Sequence, residues 1–403
     1  MKKPLDLNPA VFTLHQADVT ALLDRLGLHM APISPLFGAM ASRETSEEAL
    51  QWADDSDFAD VLGTLAAPDR VVRVYAGGGM QPRGDLFMCI RPNQHFPMVA
   101  ITPSVEESWV ILGFSDTVMG TRWLTDTLAG DVEDVPQSPF PETFPLRLGV
   151  YIWATIDQFR RSTYEQLLDF RADEPLRFTL EDFSENIRRG VQAGDIRWAL
   201  PAFIALTPGI GEAAMPPDPS VFNQLLETDM MFPVSGDGAG LTFTFGEVGQ
   251  DLGIEFYRTW VKSAGIEVRD AVASGYAVRH RAYLSVTMWA NHMWELLNHD
   301  EAEIRYAPMA HAAVLKLLES WIQGPMQPEA VVPVIEIPQS GEASVIIQDG
   351  VCDTCGAPML PDAQFCSKCG TPKADAALIC ASCGAPLKSG QRFCTKCGTP
   401  VAH

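Results

Sequence analysis

The sequence predicts an α+β body of two similar halves, with antiparallel sheets covered by helices, followed by two small modules of four cysteines each. Three observations support this fold class. Helix-like and strand-like segments occur in blocks, the same order of blocks occurs twice, and eight of the nine cysteines lie in the last 52 of the 403 residues. Blocks of strands joined by turns are typical of antiparallel meanders, and flanking helices can cover a sheet face. The repetition concerns the order of elements only, since no residue identity supports a duplication.

The predicted first half spans residues 1–134. Helical periodicity at residues 17–28 and 46–65 opens this half, a strand meander follows, and a helix at residues 116–128 closes it. Turns that contain glycine or proline separate the strands of the meander. These strands are predicted at residues 70–75, 85–91, 95–102 and 108–114.

The predicted second half spans residues 146–322 and follows a proline-rich break. A long helical segment with many aromatic residues, at residues 146–171, opens this half. The order of helices, strands and helices then repeats. Further helices are predicted at residues 180–193, 221–229, 287–299 and 308–322, and strands at residues 241–245, 254–260 and 276–286.

Residues 323–350 are predicted to link the body to the cysteine-rich tail. Proline removes backbone donors and disfavours helix, so this proline-rich segment is expected to be extended. The run at residues 331–337 is apolar enough to pair with the body as an edge strand, so the linker need not be free.

The eight clustered cysteines form four Cys-x-x-Cys-Gly motifs. In such a motif the chain turns tightly and points both sulfurs at one centre. The glycine permits a positive φ, which lets backbone N–H groups reach the thiolates. Two motifs ten residues apart can therefore complete one tetrahedral metal site. The predicted ligands are Cys352, Cys355, Cys366 and Cys369 for the first site, and Cys380, Cys383, Cys394 and Cys397 for the second.

The two sites belong to a repeated unit of 21 residues, at residues 352–372 and 380–400, with 12 identical positions. Phe365 and Phe393 precede the third cysteine of each unit. They are expected to cover the metal, because so short a segment has no other core. This tail resembles a double zinc ribbon. The resemblance implies two structural zinc ions, but it implies no single function, because such ribbons bind proteins, nucleic acids or no identified partner.

Other interpretations of the cysteines fit their spacing less well. No secretory leader is expected at the start of the chain, which disfavours disulfides. Rubredoxin-like iron sites use similar motifs but hold them much further apart. Four motifs in two matched pairs leave no open coordination position, which disfavours redox chemistry and catalytic zinc. We therefore expect closed structural zinc sites at residues 351–371 and 379–400.

The net charge of −22 is concentrated in the body. Residues 351–403 contain five basic and three acidic side chains, which leaves 24 basic and 48 acidic side chains in residues 1–350. Two zinc tetrathiolate centres would bring the tail to about −2. An acidic body repels phosphate backbones and anionic lipids, so we expect no nucleic acid on the body and no membrane attachment. The apolar windows are too short to span a membrane, and thiols that must stay reduced favour the cytoplasm.

One candidate metal site in the body lies in the sequence HMWELLNH. His292, Glu295 and His299 would share one face of the predicted helix. Positions i and i+7 are two turns apart, however, which is too far for two ligands of one ion without a bend. An ordinary packed helix with polar tips is the preferred interpretation.

The acidic residues Asp54, Asp55, Asp57 and Asp60 suggest a calcium loop at first sight. The sequence lacks the glycine at the required bend and the terminal glutamate of such a loop. We therefore expect these residues to form a solvated acidic helix face.

Two glycine clusters, at residues 77–79 and 236–240, lack phosphate-binding sequences and are expected to be hairpin turns. Cys89 lies in the apolar run LFMCI and is expected to be a small core residue, not an activated thiolate.

The most compact basic cluster of the body is Arg279, His280 and Arg281. In a strand, Arg279 and Arg281 would face the same side of the sheet. A surface salt bridge is a commoner role for such residues than contact with an anion or a partner.

The preferred function is that of a non-catalytic cytoplasmic interaction or adaptor protein. Its acidic body would bind a protein partner, and its double ribbon would be a second docking module. The second hypothesis is nucleic-acid binding through the ribbons. The basic side chains available there are Lys368, Lys388, Arg392 and Lys396. Lys368 and Lys396 recur at matching positions, where charge compensation of the thiolates is the preferred role.

The third hypothesis is an enzyme of unrecognised type with a site between the two halves. It would require His280, His292 or His311 to converge on carboxylates in a cleft. The sequence contains no serine–histidine–aspartate framework and no paired-carboxylate motif to support it.

Overall fold

The computed structural model describes most of the body and two short strands of the tail. The described residues are 9–37, 50–78, 81–82, 85–104, 108–171, 174–207, 210, 219–234, 241–257, 262–273, 275–297, 303–326, 378–379 and 386–387. The chain divides into two compact units, Met1–Ile335 and Glu336–His403.

The first part of the body contains a strand, two helices, an antiparallel meander and a closing helix. These are β1 (Ala10–His15), α1 (Val19–Leu26), α2 (Ser56–Ala66), β2 (Arg70–Gly78), β3 (Gln81–Pro82), β4 (Leu86–Ile90), β5 (Met98–Pro103), β6 (Ser108–Phe114) and α3 (Thr117–Leu128). Asp55 and Asp116 begin α2 and α3, because their carboxylates accept hydrogen bonds from backbone N–H groups of the first helical turn.

A helical layer follows in the sequence. It contains α4 (Leu146–Leu168), α5 (Leu180–Gln192), α6 (Ala199–Leu206), α7 (Pro219–Glu227) and α8 (Glu247–Tyr257), with the short strands β7 (Thr143–Pro145), β8 (Phe178–Thr179), β9 (Met231–Val234) and β10 (Thr242–Phe245). Helix α4 is buried along most of its length, and Trp153 lies against the rings of Phe203, Phe256 and Tyr283. This helix therefore forms the centre of the layer.

The second meander joins the first in one antiparallel sheet. It consists of β11 (Lys262–Val272), β12 (Gly275–Val286), β13 (Asn291–Leu296) and β14 (Glu303–Met309), and α9 (His311–Gln323) follows it. The strand order is β1-β6-β5-β4-β2-β11-β12-β13-β14-β7, and β3 pairs with β2. Strands β2 and β11 pair antiparallel at the centre. The order of helix, four-stranded meander and helix thus occurs twice.

Helices cover both faces of the sheet. On one face, α3 and α9 pack on side chains such as Val72, Ile266 and Leu284. On the opposite face, α1 and α2 cover the strands of the first meander, and α4 to α8 cover the second. Gly265 permits a close approach on this face, because a β-carbon there would lie 1.6 Å from the carbonyl oxygen of Leu206. The end of α6 therefore rests directly on the backbone of β11.

The structure confirms the α+β class and an antiparallel sheet with helices. The four strands predicted in the first meander are all present. The two meanders share one sheet, so the expectation of separate sheets for the two halves is wrong. Strand pairing between β2 and β11 is the physical reason, since it leaves neither meander with a free edge at the centre.

Three predicted elements differ from the structure. The helix expected at residues 46–65 is interrupted at Asp55, whose extended backbone begins α2. The strand expected at residues 254–260 is wrong, because its residues up to Tyr257 belong to α8. The helix expected at residues 287–299 is also wrong, because residues 291–296 form β13. The sequence also did not predict β1, β3, β7, β8, β9, β11, β14 or α6.

Candidate metal centre and polar sites of the body

The predicted zinc ligands lie outside the described residues. They are Cys352, Cys355, Cys366, Cys369, Cys380, Cys383, Cys394 and Cys397. In this unit the structure describes β15 (Leu378–Ile379) and β16 (Pro386–Leu387), which pair antiparallel. Cys380 and Cys383 lie between these two strands in the sequence.

His292 and Glu295 do not share a helix face. Both lie on β13, where side chains three positions apart point to opposite faces of the sheet. His299 lies outside the described residues. Strand β13 pairs on both sides and is buried on both faces, so its sequence lacks the apolar–polar alternation of a half-exposed strand.

His292 belongs to a buried polar network beneath the β12–β13 hairpin. Its side chain is 2% exposed, its Nε2 atom lies 2.8 Å from Glu255 Oε1 on α8, and its Nδ1 atom lies 2.9 Å from the Tyr306 hydroxyl. The Thr287 hydroxyl donates a hydrogen bond to the same Glu255 oxygen. Burial raises the pKa of Tyr306, so its hydroxyl stays protonated. Both ring nitrogens of His292 thus have partners, and the network joins α8 to the hairpin.

The same network shapes the turn of the hairpin. The Thr287 hydroxyl accepts hydrogen bonds from the backbone N–H groups of Trp289, at 3.3 Å, and Ala290, at 3.1 Å. The two residues at the tip, Met288 and Trp289, are 64% and 42% exposed. The helix predicted at residues 287–299 includes both residues, so the sequence did not predict this tip. The available signal for a turn was Thr287, because a threonine hydroxyl can accept hydrogen bonds from backbone N–H groups two and three residues further along the chain.

An acidic segment lies beside this turn. The Asn291 side chain accepts a hydrogen bond from the Gly130 N–H group at 2.6 Å and donates one to the Gly130 carbonyl at 3.1 Å. A β-carbon on Gly130 would lie 2.8 Å from Val286 Cγ1, so the two segments are in close contact. The exposed acidic residues that follow Gly130 are Asp131, Glu133 and Asp134.

Asp270 binds two arginines on the face that α9 covers. Arg70 Nη2 lies 3.0 Å and Arg279 Nε lies 2.9 Å from Asp270 Oδ2. Arg70 Nη1 also donates to the carbonyl oxygens of Trp321 and Gly324, at 2.8 and 2.9 Å, and so holds the end of α9. Desolvation opposes ionisation of Asp270, but hydrogen bonds from both arginines outweigh it and hold the pKa below its ordinary value.

Glu267 forms a second cluster on the opposite face. Its carboxylate accepts hydrogen bonds from Arg281 Nε at 2.8 Å and from Arg269 Nε at 2.5 Å. The Arg269 guanidinium lies 4.5 Å from the ring centre of Tyr276. Desolvation again opposes ionisation, but the two arginines outweigh it and lower the pKa of Glu267.

The expectation that Arg279 and Arg281 face one side is wrong. The register between β11 and β12 shifts between Val268 and Arg269, and this bulge turns Arg279 to Asp270 and Arg281 to the other face. Salt bridges are confirmed as their role, but both carboxylates are only 3% exposed, so the bridges are not surface contacts.

The three histidines named for the enzyme hypothesis each have a carboxylate of their own. Besides the His292–Glu255 pair, His280 Nδ1 lies 3.1 Å from Glu295. His311 Nε2 lies 3.0 Å from Asp126 on α3. The His280 ring also stacks on Trp321, at 4.8 Å between centroids. The described part of the body thus gives these imidazoles separate structural partners.

The expected acidic helix face is wrong, because Asp54 and Asp55 precede α2. Asp54 forms an exposed ion pair with Arg25 at 2.8 Å. Asp60 accepts a hydrogen bond at 2.7 Å from a backbone N–H group of the β4–β5 connection. Asp57 is exposed in the first turn of α2. The four carboxylates therefore have separate roles.

Gly77 and Gly78 pair with β3, which confirms a hairpin at this glycine cluster. Residues 236–240 lie outside the described residues. Cys89 is a free, fully buried thiol whose pKa is raised by burial, which confirms a core role.

Within the described ranges, no three histidine, cysteine, aspartate or glutamate side chains are placed to hold a metal ion. None of the helices in those ranges combines the length and apolar character needed to cross a bilayer.

The comparison with known families concerns the tail. Residues 352–398 match the family model of the double zinc ribbon, and the match includes all eight clustered cysteines. No curated protein matches the chain. The tail is therefore a double zinc ribbon, and binding of zinc follows from that family.

Proposed function

We propose that this chain is a non-catalytic adaptor of the cytoplasm. Its acidic body binds a protein partner, and its double zinc ribbon is a second docking module. The observation that carries the proposal is the double zinc ribbon at residues 352–398, attached to a body with 24 basic and 48 acidic side chains. Two modules in one chain raise the effective concentration of the second contact once the first has formed.

In this proposal the ribbons hold two zinc ions. Four thiolates complete each tetrahedron and leave no position for water, so the zinc is structural. The ligands are those named above, and Lys368 and Lys396, next to the fourth cysteine of each site, compensate thiolate charge. Zinc thiolates and a reducing cytoplasm are mutually consistent.

The polar clusters of the body support a binding role over catalysis. Asp270 and Glu267 are each neutralised by two arginines, and His292 is enclosed by Glu255 and Tyr306. These groups fix strands and helices in place through hydrogen bonds between partners within the body.

We further propose that the two halves of the body are copies of one unit. Helices α3 and α9 close their meanders on one face, and α2 and α8 open them on the other. Strands β2 and β11 pair antiparallel at the centre, where a two-fold axis between the copies would lie. Two related surfaces would then be available to partners.

The experiment compares the full chain with the double variant C366S/C394S in affinity capture from the source cells. We expect one defined protein partner to bind the full chain and to bind the variant more weakly, because the second module is lost. Labelled RNA and DNA at low salt form the second arm. Binding that falls steeply with salt, together with capture of no protein, would replace the proposal with nucleic-acid recognition.

A further inference from the structure

We propose that the tip of the β12–β13 hairpin and the acidic residues beside it form a docking surface for a basic segment of a partner protein. This hairpin surface consists of Met288, Trp289, Asp131, Glu133 and Asp134. The inference rests on the proposed function, because it names the place and the chemistry of the contact between body and partner.

Two large apolar side chains are exposed at the tight turn of this hairpin. Met288 is 64% and Trp289 is 42% exposed, and neighbouring strands β12 and β13 are otherwise buried in this region. Turns of this size favour glycine, asparagine and aspartate. Tryptophan and methionine are instead enriched at the centres of protein interfaces, where tryptophan is a frequent hot spot.

Hydrogen bonds beneath the turn hold the tip of the hairpin in place. The Thr287 hydroxyl bonds the backbone of Trp289 and Ala290 and donates to Glu255, which in turn binds His292 at 2.8 Å. The side chains of Thr287, Glu255 and His292 are all buried. A tip that is already ordered loses little conformational entropy when it binds, so its apolar side chains are efficient anchors.

The segment beside the tip carries negative charge. Gly130 contacts Val286 and Asn291 at the base of the hairpin, so the exposed Asp131, Glu133 and Asp134 begin one residue from it. The ammonium group of the nearby Lys262 donates a hydrogen bond to the Ala129 carbonyl oxygen at 3.1 Å. An apolar anchor with an acidic flank fits a segment that combines lysine or arginine with leucine or phenylalanine.

The binding experiment uses the full chain and three synthetic peptides in fluorescence anisotropy. The first combines basic and apolar residues, the second replaces the apolar residues by serine, and the third replaces the basic residues by glutamate. We expect the first peptide alone to bind. Trp289→Ala should weaken this binding at least about tenfold, as is usual for a tryptophan anchor. D131N/E133Q/D134N should weaken it at low salt and flatten its salt dependence.

Phe170→Ala is the matched control, because Phe170 is 96% exposed on another part of the body. This variant should bind the first peptide as the unmodified chain does. Equal binding of the first and third peptides, or unchanged binding by Trp289→Ala, would overturn the hairpin surface.

A second experiment separates this inference from the proposed function. A photo-crosslinking amino acid is placed at position 288 or at position 170 of the full chain in cells, so that Trp289 is retained, and crosslinked segments are identified by mass spectrometry. Basic segments crosslinked from position 288 support the hairpin surface. A partner that the full chain captures but that never crosslinks from position 288 overturns the hairpin surface and leaves the proposed function in place. Capture of no protein contradicts both.

Discussion

The body buries large apolar side chains on both faces of an extended antiparallel sheet, whereas the tail places eight cysteines and few apolar residues in its last 52 positions. The body draws its stability from area removed from water. A ribbon of about 20 residues has no such area, so coordination of zinc must supply its folding free energy.

The two units of this chain therefore depend on different interactions for their folding. Metal removal should act on the tail, and loss of a buried side chain should act on the body. Substitutions with progressively smaller expected effects test whether the tail and the body unfold independently.

The largest effect is expected for Cys366→Ser. Binding of structural zinc is worth about 10–16 kcal/mol in units of this kind, so the first ribbon should unfold. The thermal transition of the body should not change, because its cores contain none of the clustered cysteines. Calorimetry of the full chain follows the body, and elemental analysis should find about two zinc ions before the substitution and about one after it.

Cys89→Ala is the control, because it removes a sulfur atom from the core of the body. It should lower the transition temperature of the body and leave the zinc content unchanged. Loss of the body transition in Cys366→Ser would show that the two units do not fold separately.

The next effect concerns the body alone. Arg70→Met removes both hydrogen bonds to Asp270 and those to the carbonyl oxygens at the end of α9. Breaking a buried ion pair from one side costs about 3–5 kcal/mol of unfolding free energy. Urea unfolding measures this loss, and the zinc content should stay constant.

Arg25→Met is the matched control, since Arg25 forms an ion pair with Asp54 in which the side chains are 44% and 71% exposed. Exposed pairs contribute less than about 1 kcal/mol. Equal losses in the two variants would contradict the structural role given to Arg70.

Acid should destabilise the body because it protonates two carboxylates whose pKa values are lowered in the folded chain. The pKa values of Asp270 and Glu267 lie below their ordinary values of 3.8 and 4.5 in the folded chain. Their contribution to stability is therefore complete above those values and is lost as the pH falls through the lower folded values. Urea unfolding between pH 7 and pH 3 should show this decline.

Asp270→Asn should lower stability at neutral pH and flatten the decline in acid, since one of the two titrating groups is gone. Asp251→Asn, at an exposed position of α8, should leave the decline unchanged. A decline of the same steepness in Asp270→Asn would show that Asp270 does not contribute to the loss of stability in acid.

The smallest effect is expected at the end of α4. Phe170 has a φ of 56° and is 96% exposed, and the Arg171 N–H group bonds the Gln166 carbonyl at 2.8 Å in the closing turn. Glycine is favoured at such a position, so Phe170→Gly should raise the unfolding free energy by about 0.5 kcal/mol after the entropy of glycine is subtracted. Phe170→Ala keeps the strained φ, so its unfolding free energy should rise less in the same urea titration. An equal gain in both variants would exclude backbone strain as the cause.

The tail was the easier part to predict from the sequence, because the spacing of coordinating residues is itself a geometric constraint. Four motifs at fixed intervals indicated the family that the comparison then matched at residues 352–398. The first meander was predicted equally well, since glycine and proline turns separate its strands and each strand is rich in β-branched or apolar residues.

The second meander was harder to predict because tertiary contacts override its local preferences. Strand β11 carries Ala264 and Gly265, which are poor strand formers, and Gly265 is required by the approach of Leu206. The alternation of Ile266 and Val268 with Glu267 was the signal that could have revealed this strand. Strand β13 shows no apolar–polar alternation, because both of its faces are buried, and the spacing of His292, Glu295 and His299 in the sequence fitted a helix.

The pairing of β2 with β11 has a consequence for synthesis of the chain. Strand β2 ends at Gly78 and β11 begins at Lys262. At about 5–20 residues per second, the ribosome needs roughly 10–40 s to extend the chain from the end of β2 to the strand that pairs with it. During that interval one side of β2 is an open edge, and open edges recruit foreign strands. Chaperones should therefore stay bound longer to ribosome-bound chains that stop before residue 262 than to chains that extend beyond residue 272.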